Sequence, residues 1–173
     1  MDQFTAEYPA APILCLWDDS GGRYSGRKVV ESSLARGLLR FRKATTLPLS
    51  LIVGHRAFRG EGHADWLLVG SHVFAHHVCG ARWARGARSY VYVPTPARYV
   101  WAPEHDRRGD RVVARVVASA LRPLDRPKAA VAGSLADNSV FVRQRMEASW
   151  GKEARAIFLR LQSASCCRFG TGG

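Results

Sequence analysis

Four side chains able to bind a metal ion or move a proton stand close together: His72, His76, His77 and Cys79. On a helix, residues four apart share a face, so His72 and His76 would stand together, and imidazole and thiolate are both zinc ligands. The zinc-protease pattern requires Glu directly after its first His, and Val73 holds that place. No separate acidic or cysteine ligand is evident from the sequence. The expectation is therefore packed or capping histidines and no metal. A second stretch, Tyr90-Val-Tyr-Val-Pro-Thr-Pro-Ala-Arg-Tyr-Val-Trp101, empties a strand into a double-proline loop carrying Thr95, Arg98, Tyr99 and Trp101. Flat aromatics beside an arginine can hold a sugar ring and an anionic group together. The same aromatics could equally pack over a sheet edge, and spacing alone leaves both readings open.

The elements that must position these residues follow from apolar runs and their breakers. Ile13 to Trp17 reads as a buried strand running into the Asp18–Gly22 loop. Glu31 to Leu39 suggests a short helix, and Pro48 leaves 47–53 ambiguous. Asp65 to Gly70 is a strand, after which Ser71 or His72 opens a short helix to about Val78. Ser89 to Val93 is a strand stopped by Pro94 and Pro96, and 97–110 reads as loop. The periodicity predicts a helix over 111–122, with Arg111, Arg115 and Arg122 on one stripe, Val113, Val117 and Leu121 largely opposite, and Pro123 and Pro127 breaking it. Ala129 to Ala136 suggests a buried strand. Asn138 or Ser139 then caps a helix that ends near Gly151, and Ala154 to Leu159 forms the last strand. This alternation predicts an α/β fold, a mostly parallel sheet with helices on both faces, over residues 1–161, followed by a disordered tail at 162–173. Ligands in such folds sit beyond the carboxyl ends of the strands. Asp18, Asp19, Ser71, His72, Thr95 to Trp101 and Asn138 fall there.

Three segments, Asp65-Trp-Leu-Leu-Val-Gly-Ser-His72, Tyr90 to Trp101 and Ala136-Asp-Asn-Ser-Val-Phe-Val142, resemble in order and spacing the family-four glycosyltransferases, mannosyltransferase-like members above all. The resemblance runs from about Pro9 to Ala156. It implies a Rossmann-like domain forming the acceptor-side half of a GT-B fold, in an enzyme that transfers a hexose such as mannose. The donor would be a nucleotide sugar and the acceptor lipid-linked or a polysaccharide, with no metal and no other cofactor. Ser71, His72, Thr95, Arg98, Tyr99 and Trp101 would be its substrate-binding residues, and Asn138 and Ser139 its cap. The resemblance also implies departures. The family's first strand and glycine-rich loop would precede residue 1, and no donor domain follows residue 156. Pro94 replaces a histidine near the reacting centre, and a proline side chain can neither donate, accept nor carry charge there. Gly70 replaces a serine. The expectation is a truncated glycosyltransferase with no catalytic residue of its own, inactive alone.

Charge and composition narrow the remaining classes. The 173 residues carry 26 basic and 14 acidic side chains for a net charge of +12, and only four of the basic residues are lysines. A surface so basic suits phosphate-rich partners. A nucleic-acid-binding module is the competing class. It is set aside at this point because the arginines are dispersed, no basic run exceeds two residues and no recognised binding signature occurs. The Arg111, Arg115 and Arg122 stripe instead suggests an anionic membrane surface, hence a cytoplasmic chain peripheral to the inner membrane. No apolar window reaches the length of a membrane span, and the start lacks the pattern of a secretory signal. Cys15, Cys79, Cys166 and Cys167 have no disulfide or zinc-ribbon spacing, so reduced thiols are expected.

Overall fold

The computed structural model describes residues 2–32, 35, 64–71, 74–102 and 112–158. Helix α1 (Asp2–Glu7) leads into strand β1 (Ile13–Cys15), which pairs in parallel with β2 (Val29–Glu31). Glu31, expected to open a helix, instead ends this strand. A second sheet holds β3 (Trp66–Gly70), β4 (Arg88–Val93), β5 (Ser134–Asp137) and β6 (Arg155–Ala156) side by side, every pairing parallel. The expected α/β architecture with parallel strands is present. The expectations for Leu34, 36–39, 47–53, His72, Arg111 and the 162–173 tail fall outside the described residues.

Alternation in β4 shows why the sheet has a wet and a dry side. Ser89, Val91 and Val93 are buried, while Arg88 and Tyr90 face outward. Pro94 then ends the strand, because proline has no N–H for the ladder. Val69, Val91, Val93 and Leu135 form the dry face. Against it pack Ala129 from helix α3 (Val112–Val131) and Val142, Met146 and Trp150 from helix α4 (Val140–Trp150). Met146 is fully buried. Removing such a side chain from water stabilises the fold by roughly 1.5–3 kcal/mol.

The connections explain why only one side is dry. From β3 to β6 each strand lies beside its predecessor, always stepping the same way across the sheet. Right-handed crossovers taken in one direction place their connecting helices on one face. Helices on both faces were expected; among the described residues α3 and α4 pack on one face, and on the other only α1 comes up to the β3 edge, through Phe4 and Tyr8. The rest of that face, carrying Trp66, Arg88, Tyr90 and Arg155, is open among the described residues.

The long helix α3 also differs from expectation. It passes through Pro123 and Pro127 as far as Val131, so Ala129 to Val131 end a helix and the strand begins only at Ser134. Both prolines lie on the exposed side, where water can reach the carbonyls they leave unpaired. Ala118, Leu121, Asp125 and Ala129 anchor the inner side. Tertiary anchoring therefore outweighs the local cost of two prolines. The segment expected as loop after Ala97 contains one helical turn, α2 (Arg98–Trp101), and the expected helix after Ser71 is a 3₁₀ segment, Ala75–Gly80. Helix α4 starts and stops as its sequence predicts. The Ser139 hydroxyl accepts from the Val142 N–H at 3.3 Å, and Gly151 closes the helix in a left-handed conformation at φ 65°.

Candidate functional site

Beneath the carboxyl ends of the strands, one carboxylate gathers two indoles and two imidazoles. Asp125 sits on the inner side of α3, 1% exposed. Its Oδ2 accepts from the Trp101 indole at 2.7 Å and from the Trp150 indole at 2.9 Å. Its Oδ1 lies 2.8 Å from His77 Nε2 and 3.1 Å from His76 Nε2. The His76 contact is close but off the line of a straight hydrogen bond. Both histidines are buried. The Ser71 hydroxyl, one residue past β3, meets His76 Nδ1 at 3.0 Å, and the Ser71 N–H continues the ladder to the Tyr92 carbonyl. The cluster thus ties the ends of β3 and α4, the turn after β4 and the middle of α3 to one oxygen pair. Phe74 packs edge-on against both His77 and Tyr99 and closes the side of the cluster.

Charge follows from this packing. Burial pushes the Asp125 carboxyl up, but the close approach of His76 and His77 and the bond from Trp101 overcome it and hold the group well below 3.8. Burial drives His77 below 6.5, more strongly than its bond to Asp125 raises it. Burial, then the Asp125 charge, pushes the Tyr99 phenol up. The arrangement is an ionised carboxylate beside a neutral His77 ring.

His76, His77 and Asp125 also bring three possible metal-ligand atoms within 4.8 Å of one another. A tetrahedral zinc ion with bonds of about 2.0–2.1 Å holds its ligand atoms about 3.4 Å apart. The oxygen–nitrogen separations here are shorter, and the second carboxylate oxygen already serves two indoles. The geometry suits N–H protons between oxygen and rings. An ion would have to spread Oδ1 away from both imidazoles.

The titration of this cluster gives a test. A His held neutral by the fold contributes stability that is present above pH 6.5 and lost as pH falls below it, because the unfolded chain takes the proton more readily. Asp125 adds a second loss as pH falls below 3.8. The melting temperature is expected to fall between pH 7.5 and 5.5, and His77→Gln is expected to flatten that interval. A parent protein whose melting temperature does not change across it would refute the assignment.

Of the side chains expected to line a substrate cleft, most turn inward. Ser71 is 1% exposed and orients His76. Trp101 spends its indole on Asp125, and Tyr99 is largely buried against Phe74. Thr95 is half-buried, its hydroxyl donating to the Pro96 carbonyl at 3.2 Å. Arg98 alone of the described members of this group is exposed. In the expected basic stripe Arg115 is exposed, but Arg122 is drawn inward. Its Nε donates to the Val100 carbonyl at 2.9 Å and its guanidinium lies 5.8 Å from the centre of the Trp101 ring. Val117, expected on the buried side, is 47% exposed. Sequence reasoning missed Asp125 and Trp150. The available signal was a lone acid in an apolar helical face, with two tryptophans beyond hydrogen-bond reach in sequence but not in space. No known protein family, curated protein or solved structure matches the chain.

Proposed function

We propose that this chain is a Rossmann-like, acceptor-side domain of a hexose-transferring glycosyltransferase, binding a lipid-linked or polysaccharide acceptor without turning over donor itself. One observation carries the reading. The three segments that bear the resemblance each span the carboxyl end of a strand, β3, β4 and β5, three adjacent parallel strands. Such a rim is where ligands of open parallel sheets bind.

On this reading the Asp125 cluster is a positioning device. It is buried away from any substrate and fixes the turns after β3 and β4, leaving Arg98 and Thr95 at the rim. Arg98 would hold an anionic group of the acceptor, as a guanidinium does for phosphate. Pro94, at the end of β4, offers no proton to move. The proposed location is peripheral, at a membrane surface carrying the acceptor; no helix among the described residues is long and apolar enough to cross a membrane.

The test is a titration of the purified chain with a polyprenyl-diphosphate-linked oligosaccharide and, separately, with GDP-mannose and UDP-glucose. Acceptor binding is expected, and Arg98→Ala should weaken it by about tenfold, the loss of one charge-assisted contact. Neither nucleotide sugar is expected to be consumed. Steady hydrolysis of either donor, or absence of acceptor binding, would overturn the reading.

A further inference from the structure

We propose that the open face of the four-stranded sheet binds single-stranded nucleic acid, stacking bases on Tyr90 and Trp66 and holding phosphates with Arg88 and Arg155. This surface is separate from the strand-end rim, and the proposal does not depend on the glycosyltransferase reading.

The pleat and register build the platform. In β4, Arg88, Tyr90 and Tyr92 point to the same side, successive members about 6.6 Å apart. Trp66 lies directly across from Arg88, and Ala136 links Tyr92 on one side to Arg155 on the other. Arginine and aromatic side chains therefore interleave along and across the strands. Trp66 is 39% exposed and Tyr90 45%, values at which a ring still offers a face to a ligand. Tyr8 leans on Trp66 at 4.8 Å and extends the aromatic surface. On β5, between the β4 tyrosines and the Arg155 edge, the residues are small, Ser134 and Ala136, and the face forms a basin of about 1580 Å³.

Charge selects the occupant. Arg85, Arg88, Arg143 and Arg155 line this basin against Asp65 and Glu153, in a chain of net charge +12. A second copy docked face to face would bring these arginines against their own equivalents, which repel. A duplex hides its base faces from the rings. An unpaired strand presents base faces and phosphates together, and exposed sheet aromatics with basic neighbours bind it through stacking and phosphate contacts. The arginines are dispersed in sequence; the pleat gathers them.

The experiment is fluorescence anisotropy with a labelled 12-nucleotide oligouridine, repeated over a salt series. Micromolar binding is expected at low salt. Tyr90→Ala should weaken it roughly five- to 150-fold, the effect of losing one stacked base. The Arg88→Gln/Arg155→Gln pair should reduce the slope of log affinity against log salt by about 1.4. Arg126→Gln, exposed on α3 and so on the covered side of the sheet, should change neither. Tyr90 and Arg88 are solvent-facing, so folding of each variant is checked by circular dichroism, and ultraviolet crosslinking to 4-thiouridine should map to Trp66 or Tyr90. Four results would each overturn the proposal: no binding at 100-fold higher protein concentration, affinity untouched by Tyr90→Ala, a duplex or anionic vesicle competing as well as the single strand, or crosslinks confined to another surface. Loss of acceptor binding alone would leave it standing.

Discussion

Replacing Asp125 with Asn is expected to leave the chain without a cooperative native fold at 37 °C. Two indoles and the His77 imidazole are hydrogen-bonded to its carboxylate, with His76 Nε2 3.1 Å away, in a site 1% exposed. Asn keeps the shape but swaps one acceptor oxygen for an NH₂, so donors face a donor with no water to replace the lost acceptor. Breaking a buried charged network by removing one partner costs about 3–5 kcal/mol. Domains have only about 5–15 kcal/mol in total, so most of the stability goes with one atom. Urea unfolding followed by tryptophan emission checks this, since Trp101 and Trp150 report the cluster directly. Pairing Asp125→Asn with Trp101→Phe removes one stranded donor, and the double variant should lose less than the sum of the singles. An Asp125→Asn protein that unfolds at the parent's urea concentration would mean the carboxylate is a bystander.

This cluster marks the boundary of what the sequence reveals. The strands were legible because their signal is local. Asp65 to Gly70 and Ser89 to Val93 are apolar runs bounded by breakers, and the structure places strands there to within a residue. The α4 caps were legible for the same reason, since Ser139 and Gly151 act on neighbours three and four positions away. Packed histidines were the expected reading of the His72–Cys79 segment, but their partner was not visible. Asp125 lies 48 residues from His77 and 25 from Trp150, and no periodicity links them. The continuation of α3 through two prolines was hidden similarly. Local rules end the helix at Pro123, and only the inner contacts of Leu121, Asp125 and Ala129 show why it persists. The types of Ser71, Tyr99 and Trp101 suit a sugar cleft, whereas direction decides what each side chain touches, and direction belongs to the tertiary fold.

Gly133→Ala should cost nearly as much as a core truncation, although it adds one methyl group at an exposed position. Gly133 joins α3 to β5, level with Ser89 of β4, and its N–H donates to the Ser89 hydroxyl at 2.7 Å. A Cβ built there would stand 2.5 Å from the Ser89 carbonyl oxygen and 3.0 Å from its hydroxyl oxygen. The first obstacle is backbone, so no side-chain rotation relieves it; β4 and β5 must separate or β5 must shift. Overpacking of this kind typically costs about 1–3 kcal/mol, and displacing the Ser89 contact adds about 1 kcal/mol. Gly86 is the instructive contrast. Nothing lies within 4 Å of a Cβ there, but its φ of 92° disfavours any L side chain, so Gly86→Ala bears only a local backbone penalty of about 1–2 kcal/mol. The two variants should also differ in kind. Gly133→Ala disturbs the β4–β5 pairing and so the aromatic environment of Tyr90 and Tyr92 in near-ultraviolet circular dichroism, while Gly86→Ala lowers the urea midpoint with that spectrum intact. Adding Ser89→Ala should not restore the first variant, because the carbonyl remains. Parent-like stability of Gly133→Ala, or rescue by removing the Ser89 hydroxyl, would show that the strands do not meet as closely as this register requires.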